Sequence, residues 1–544
     1  MKFFSEFRKD GAVGAVLRPG MWRIWFLCIL SVLLSVLQVG MALVFQYVID
    51  AVLTQNGQAF QWTVLLIADL VLQVVVYGTE SWFTGSTTDR FAADLRTKLM
   101  ESAVFCGDSR LEAYHSGQLL SRGMEDVRSL CDGVVQALPA LIGQITRLVA
   151  AFCAVLLIYP AVASVLVAAG TVVLAGVALL RPVLKKQQRA VRSAEEKVMS
   201  TMQVDLQQLE LIQSMDIQVQ ILVRYGKQQD RSLRARFRQR CWSVSSNGIV
   251  NTASLLGTGA LLLWGAGRVA AGVLSYGSLT ALIQLLNQFR APVLGLSGLW
   301  TRFVYIEVCT ERLELLLSAP EDKPAKREPF SPESVVFENV TFCYQGEDHP
   351  VFENFSIELP LDGWTALGGF SGRGKSTLFK LMLGLYQPQQ GRVYLKTAQG
   401  DIPCGSDTRH IFAYVPQDYA LFSGTVKENL LLVAPDADSE KLRQVLELAK
   451  AEFVWEMTAG ENTVLRENNT GLSKGQIQRL AIARAILMDR PVLLLDECTS
   501  ALDADTENAV LHNLRSTGKA AILVTHRPEA LEELDDVTAV SMEE

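Results

Sequence analysis

Little in this chain suits disulfide, zinc or nucleic-acid chemistry. Its nine cysteines (Cys28, Cys106, Cys131, Cys153, Cys241, Cys309, Cys343, Cys404 and Cys498) are scattered, with no CxxC pair. They read as reduced, small apolar side chains and not as a disulfide frame or a metal site. The five histidines are equally dispersed, which argues against a centre built on imidazole ligands. Positive charge is not in excess either: 50 Lys+Arg stand against 57 Asp+Glu, a net charge of −7. That balance offers no global basic field to a nucleic acid, and no such partner is expected. Low-complexity tracts and obvious internal repeats are absent, and long apolar runs are missing beyond Phe303.

What the chain does have is apolar mass in its first part. Of 544 residues, 49% are hydrophobic, and the mean hydropathy is +0.22. So much apolar surface excludes a disordered chain and argues against an ordinary soluble enzyme. The length allows several modules. The apolar runs are Trp22–Val52, Trp62–Trp82, Leu138–Tyr159, Ala161–Leu180, Val250–Val273 and Leu279–Phe303. Each supplies the about 20 residues that a helix needs to cross the hydrocarbon core.

Charge in the connections sets an orientation. Lys2, Arg8, Lys9, Arg18 and Arg23 precede the first run, and the loop Thr54–Phe60 is uncharged. The connection from Asp89 to Asp132 is heavily charged, Tyr159–Pro160 is a neutral turn, and Arg181 to Arg240 is the most basic stretch. Charged and neutral connections alternate, so six spans with both termini on the inner, cytoplasmic side are predicted, multi-pass in a cell membrane. The first run is too long for a signal peptide and shows no cleavage site. The charged connections contain good helix formers, so the spans are predicted to continue as helices beyond the bilayer. Elbows near Gly107–Ser116 and Leu209–Ile217 would place short helices far from it. Asp69, Glu80, Arg147 and Arg290 fall in or near spans, at a cost of about 2.5–3.5 kcal/mol each if uncompensated. With Thr280, Gln284, Asn287 and Gln288 they read either as a polar translocation surface or as internal pairs between helices.

After Ser318 the composition changes. Residues 319–334 are charged and proline-rich, as suits an extended connector. From Val335 to Glu544 strand, glycine loop and helix alternate, the pattern of an α/β nucleotide-binding domain. Three domains of the chain follow: 1–318 membrane helices with cytoplasmic extensions, 319–334 linker, 335–544 nucleotide binding.

Gly369-Phe-Ser-Gly-Arg-Gly-Lys-Ser-Thr377 fits G-x-x-x-x-G-K-[ST] between a strand and an apolar helix. Gly369, Gly372 and Gly374 let backbone N–H groups, with those of Ser371 and Thr377, converge on phosphate oxygens at a helix N-terminus. Lys375 would reach the β- and γ-phosphates of ATP, and the Ser376 hydroxyl would ligate Mg²⁺. Pro491-Val-Leu-Leu-Leu-Asp-Glu497 is a buried strand ending in two acids, where an α/β sheet places its ligand. Asp496 would hold Mg²⁺ and Glu497 would polarise the attacking water.

Between these lies Leu472-Ser473-Lys474-Gly475-Gln476, followed by Ile-Gln-Arg-Leu-Ala-Ile-Ala-Arg-Ala. Here the chain resembles the ATP-binding cassette (ABC) transporters, whose signature is L-S-G-G-Q before such a helix. The resemblance implies that Tyr344 stacks on adenine and that Gln417 is the Q-loop glutamine, near Mg²⁺ and the water. It implies further that Asp503 ends the D-loop and that His526 is the switch histidine on the γ-phosphate. Tyr114-His-Ser-Gly-Gln-Leu-Leu-Ser-Arg122 and Glu311-Arg-Leu-Glu-Leu-Leu316 are similar to parts of the family's six-span exporters, so the likeness covers nearly the full chain. It implies a polytopic α-helical membrane domain of six long helices fused to an α/β P-loop cassette. It also implies a half-transporter whose Ser473, Gly475 and Gln476 face ATP held by a second half-transporter, as homodimer or heterodimer. The implied activity is ATP hydrolysis that drives export of a peptide, lipid or amphipathic small molecule; the alternative is an ATP-gated channel or regulator on the same scaffold. Lys474, in place of the family's glycine, is either a tolerated outward side chain or the mark of a weakened site in a heterodimer.

Overall fold

The computed structural model describes residues 11–55, 57–106, 122–318, 322, 330–344, 347, 349–368, 374–417, 421–465, 471–524 and 537–541. These residues fall into two units, divided as Met1–Met100 with Leu119–Ser318 and Glu101–Gln118 with Ala319–Glu544.

The first unit is entirely helical. A short α1 (Ala12–Leu17) turns through Pro19 into α2 (Met21–Leu53), followed by α3 (Ala59–Val104), α4 (Val127–Ile158) and α5 (Pro160–Gln207). A six-residue helix, α6 (Leu209–Ser214), then leads to α7 (Gln218–Ala270) and α8 (Tyr276–Leu317). Pro160 opens α5 at the one place where its missing N–H costs nothing. The six long helices run 32 to 53 residues, more than the about 20 that a bilayer core needs. The helical formers in the charged connections therefore do extend the spans, and the elbow expected near Leu209 is α6. The other, at Gly107–Ser116, lies outside the described residues. Among the described residues, four stretches are long and apolar enough to cross a membrane: Ala12–Leu53, Ala59–Val104, Gly123–Ile158 and Asn251–Ala270. On α3, Phe60, Val71, Val74, Tyr77 and Trp82 are all exposed, an arrangement that hydrocarbon tolerates and water does not.

Two apolar clusters stack along this unit. One joins Ile24 and Leu27 of α2, Leu130 and Val134 of α4, and Leu299 and Ile306 of α8. The other joins Val39 and Ala42, Ala151 and Val155, and Leu282 and Leu285 of the same three helices. Between them lies a set of polar side chains. Ser35 Oγ donates to the Gly143 carbonyl at 2.9 Å, and Gln288 Nε2 donates to the Gln38 carbonyl at 2.7 Å. Arg147 donates to the Gln38 side chain, and Glu80 hydrogen-bonds Ser31 beside Arg147. Asp69 accepts from Gln73, one turn along its own helix, at 2.7 Å. Of the two readings of the charges within the spans, the internal-pair reading thus describes Glu80 and Arg147, whereas Asp69 bonds only within its own helix among the described residues; the Arg290 side chain lies outside the described residues.

The second unit carries two main sheets. Strands β1 (Pro332–Phe342), β2 (Phe352–Pro360), β4 (Gln390–Thr397) and β5 (Gly400–Pro403) form an antiparallel sheet in the order β2-β1-β4-β5. A parallel sheet runs β11-β3-β10-β9-β6, built from β3 (Trp364–Gly368), β6 (Phe412–Val415), β9 (Val492–Asp496), β10 (Ala520–Val524) and β11 (Val537–Ser541). Every residue of β9 is buried, which is why its sequence is apolar without alternation: a central parallel strand is covered on both faces. Leu493 and Leu495 point into one cluster, with Leu480, Ile482 and Leu511. Val492 and Leu494 point into the other, with Leu378, Phe379 and Phe337. The period-2 alternation of a strand therefore clamps the sheet between two cores.

Candidate nucleotide site

In such a sheet the C-terminal ends of the strands, where chain direction reverses into helices, form the ligand crevice. The chain leaves β3 at Gly368 and re-enters described structure at Gly374, which opens α9 (Lys375–Met382). Gly374 has φ +86°, and a Cβ there would lie 2.5 Å from Val351 Cγ1 and 2.9 Å from Phe352 Cζ. Both facts require glycine. No side chain caps this helix, so its first N–H groups and positive dipole end are left for an anion. Lys375, Ser376 and Thr377 begin it, with Lys375 buried. Gly369, Ser371, Gly372 and His526 lie outside the described residues.

Across the sheet, β9 delivers its two acids. Asp496 Oδ2 accepts from Tyr414 Oη at 3.3 Å, and the Ser376 hydroxyl bonds the same carboxylate. Asp496 Oδ1 is buried without a hydrogen-bond partner. Burial, chiefly, pushes this carboxyl above its ordinary range. Hydrogen bonds from Ser376 and Tyr414 oppose the shift, the Glu497 carboxylate adds to it, and Lys375 works against it. A buried, unpartnered carboxylate oxygen beside a serine hydroxyl is a hard-oxygen donor set of the kind that Mg²⁺ takes. The residues present fit that ion.

Glu497 sits one residue past the strand, in the left-handed region at φ 49°, where a non-glycine residue stores strain. Its N–H donates to the Val524 carbonyl at 3.1 Å, which anchors it to the end of β10. Its Oε2 accepts from Gln417 Nε2 at 2.9 Å. The strand order, with β6 beside β9, brings Gln417 and Glu497 together although they are 80 residues apart. Tyr344 is tied in from the antiparallel sheet: its hydroxyl and that of Thr377 hydrogen-bond at 2.9 Å, and its ring packs edge-on against Phe342 and Tyr386.

The remaining expected residues form a second group. Ser473 is the N-cap of α13 (Lys474–Leu487), its Oγ accepting the Gln476 N–H at 3.2 Å while Gln476 Oε1 accepts the Ser473 N–H at 2.8 Å. This reciprocal capping box explains both residues within the chain. Gly475 packs on the loop after Glu497: a Cβ would stand 3.0 Å from the Ala501 carbonyl oxygen. Asp503 caps α14 (Ala504–Ser516), accepting the Thr506 N–H at 3.0 Å and its hydroxyl at 2.9 Å. Those bonds, the backbone one first, hold its carboxyl below the usual range. Lys474 is exposed and makes no ion pair among the described residues. Sequence reasoning did not single out Tyr414 or Gln478. Gln478 is fully buried, donates to Ser500 Oγ and accepts the Ala501 N–H, each at 3.2 Å. It thereby fixes the D-loop to the signature helix. A polar residue in the core stripe of Ala481, Ile482 and Ala485 was the available signal.

Comparison with known proteins agrees with this geometry. The family model described as "ABC transporter transmembrane region" matches residues 24–293, and that described as "ABC transporter" matches residues 352–500. The chain is 27% identical over 496 residues to the alpha-hemolysin translocation ATP-binding protein HlyB of Escherichia coli O157:H7, covering 89% of this chain and 70% of that protein. It is 27% identical over 526 residues to the leukotoxin translocation ATP-binding protein LktB of Mannheimia glucosida, covering 94% and 73%. Its fold is similar to that of a bacterial Atm1-family ABC exporter solved with ATP bound, with a TM-score of 0.79, 19% identity, and coverage of 97% and 94%.

Proposed function

The chain belongs to the ABC transporters, as an exporter-type half-transporter with membrane and ATP-binding domains in one polypeptide, and we propose that its carboxylate cluster hydrolyses ATP only when a second cassette closes on it. Export driven by ATP hydrolysis is the activity of this family of proteins, and such half-transporters work as dimers. The assignments of residues that follow are our reading.

The observation that carries the reading is the meeting of Gln417, Glu497 and Asp496 at the strand ends, with Asp496 Oδ1 buried and unpartnered. The uncapped N-terminus of α9 and Lys375 would bind the β- and γ-phosphates, with Tyr344 on the adenine. Mg²⁺, held by Ser376 and Asp496 with Gln417 nearby, would neutralise charge on the phosphates. Glu497 would accept a proton from the attacking water, oriented by Gln417 and held in place by its bond to Val524. His526 would contact the γ-phosphate. Ser473, Gly475, Gln476 and Asp503, at the N-terminal ends of α13 and α14, would complete the site on the partner cassette. A dimer of identical chains is the simplest form, since Glu497 is intact; a heterodimer is the second form, and Lys474 is its only pointer.

The relatives' names describe translocation of alpha-hemolysin and of a leukotoxin, and a polypeptide cargo is the reading we adopt here. The basic connections support a reading with both termini in the cytoplasm and the spans in the cell membrane. Reconstitution tests this. Uphill uptake of a cargo peptide into inside-out vesicles, together with peptide-stimulated ATPase activity, is the expected result. Passive, ATP-gated flux without stimulation would replace the pump by a channel.

A further inference from the structure

The cytoplasmic part of α7 is unusually basic. From Arg224 to Arg240 it carries seven cations and one acid, Asp230. Some of these side chains hold the hairpin with α5. Arg224 pairs with Asp205, Arg236 with Glu195 at 2.8 Å, and Gln239 donates to Gln188 at 3.1 Å. Glu196, the other acid of that stretch of α5, pairs with Arg192 at 3.8 Å. The three acids of that stretch of α5 are thus engaged.

Lys227, Arg231, Arg234 and Arg238 are different. Their 4-3-4 spacing on one continuous helix puts them within an arc of about 60°, at the usual 100° per residue. All four are exposed, and none makes an ion pair among the described residues. Asp230, beside them, pairs with none of them. Like charges at this spacing repel one another along a helix, so the stripe is a local electrostatic cost that no ion pair among the described residues offsets.

We propose that this stripe docks an acidic segment of the cargo polypeptide before it enters the membrane helices, an inference that rests on the export reading above. Anionic lipid is the obvious rival, since juxtamembrane basic clusters bind it. Distance rules it out as a partner for all four. The uncharged stretch of α7 that leads into the bilayer begins no earlier than Cys241, so at 1.5 Å per residue Arg231 lies at least roughly 15 Å and Lys227 at least roughly 21 Å from it along the axis. A headgroup layer is only about 5–8 Å deep. Successive cations are about 4.5–6 Å apart along the axis, close to the about 6.7 Å between alternate side chains of an extended peptide. A run of acidic residues can therefore meet all four. The stripe lies on the helix that runs on into the bilayer, which is where a captured segment would have to go.

The experiment uses the full-length transporter in nanodiscs of zwitterionic lipid, without nucleotide, and fluorescein-labelled hexaglutamate as probe, read by anisotropy. Hexaglutamate should bind at low salt and hexaglutamine should not. The quadruple variant Lys227→Gln/Arg231→Gln/Arg234→Gln/Arg238→Gln should weaken binding about tenfold or more, and higher salt should do the same. Replacing the three arginines by lysine should keep most of it, and neutralising Arg224 and Arg240 instead should change it less than twofold. Absence of hexaglutamate binding overturns the proposal, as does equal loss in the two neutralised variants. A quadruple variant that falls apart into monomers by native mass also overturns it, making the stripe a subunit contact. So does binding that needs anionic lipid in the disc. Hexaglutamate binding with no ATP-driven uptake sinks the export reading and leaves the stripe; uptake of acidic cargo undiminished in the quadruple variant sinks the stripe and leaves export.

Discussion

Glu497→Gln is the substitution from which the proposed chemistry draws its sharpest test. Gln417 Nε2 donates to Glu497 Oε2 at 2.9 Å, and the Glu497 N–H donates to Val524. A glutamine at 497 keeps a carbonyl oxygen that can accept the first bond, and it keeps the backbone bond and the left-handed φ of 49°. Tyr414, Ser376 and Asp496 are untouched. What disappears is the group that takes a proton from water, together with one negative charge next to the triphosphate. Positioned bases contribute about 10²–10⁴ in rate, so kcat should fall by that factor, about 2.7–5.4 kcal/mol at 1.36 kcal/mol per tenfold. Affinity for ATP should change only a few-fold, in the direction of tighter binding, because the removed charge repels phosphate. The ATP-bound closed dimer should then accumulate. Single-turnover hydrolysis with Mg²⁺ and native mass on the same sample measure both halves. A kcat within about threefold of the parent protein would take Glu497 out of its role, and a variant that hydrolyses slowly yet stays monomeric with ATP would leave the base and refute the shared site.

Three further outcomes follow from individual contacts. Asp496 holds its proton above the ordinary carboxylate value of 3.8 because it is buried. Between 3.8 and that raised value the folded chain binds more protons than the unfolded one, so stability falls as pH rises through the window. Asp496→Asn should therefore raise the melting temperature of the nucleotide-free protein at pH 7–8, lose that advantage below about pH 4, and abolish Mg²⁺-dependent hydrolysis; a lower melting temperature at pH 8 would contradict the burial argument. In the membrane unit, a Cβ at Gly143 would come within 2.3 Å of Ser31 Oγ, so Gly143→Ala should cost about 1–3 kcal/mol as overpacking. Ser31→Ala should return at least half of that in a double-mutant cycle, and additive losses would mean that the two helices do not meet there. At the signature, Lys474→Gly should leave hydrolysis within about threefold because the side chain is exposed and makes no ion pair among the described residues. Gly475→Ala presses on the Ala501 carbonyl and should slow it about tenfold while the melting temperature stays within a few degrees; the reverse ranking would put Lys474 in contact with the partner's phosphate.

These tests fall on features of two kinds, which differ in how far they could be read from the chain alone. The glycine spacing before Lys375, the acids closing an apolar strand at Asp496 and Glu497, and the apolar runs are local: each is set by neighbours a few residues away. That position 374 needs glycine could be foreseen from the spacing, and its φ of +86° requires one. The Gln417–Glu497 bond is not local. It exists because β6 and β9 are adjacent, and no spacing within either strand announces which strand neighbours which. Tyr414 reaches Asp496 for the same reason, its side chain leaving β6 one register position before the strand ends. Gln478 was hidden differently, as a polar group whose partners, Ser500 and Ala501, belong to the loop that β9 presents after Glu497.

The intramembrane charges show the same limit in a setting where it matters more. Hydropathy alone marks Asp69, Glu80 and Arg147 as costly, and leaves open whether cargo or protein repays them. The structure gives Arg147 the Gln38 side chain, gives Glu80 the Ser31 hydroxyl, and gives the Gln38 carbonyl the Gln288 amide. These bonds join α2, α3, α4 and α8 at the level where both apolar clusters end. Apolar contacts between helices gain little in hydrocarbon, because lipid tails are as apolar as leucine. Hydrogen bonds made there carry register that packing cannot. A polar belt between two greasy layers is thus the part of the bundle least free to slip, and the layers on either side are the parts that can. Helices of 42 and 46 residues, α8 and α3, extend from that belt well past the bilayer. A displacement applied at their far ends has rigid rods to travel along and a fixed level about which to turn them.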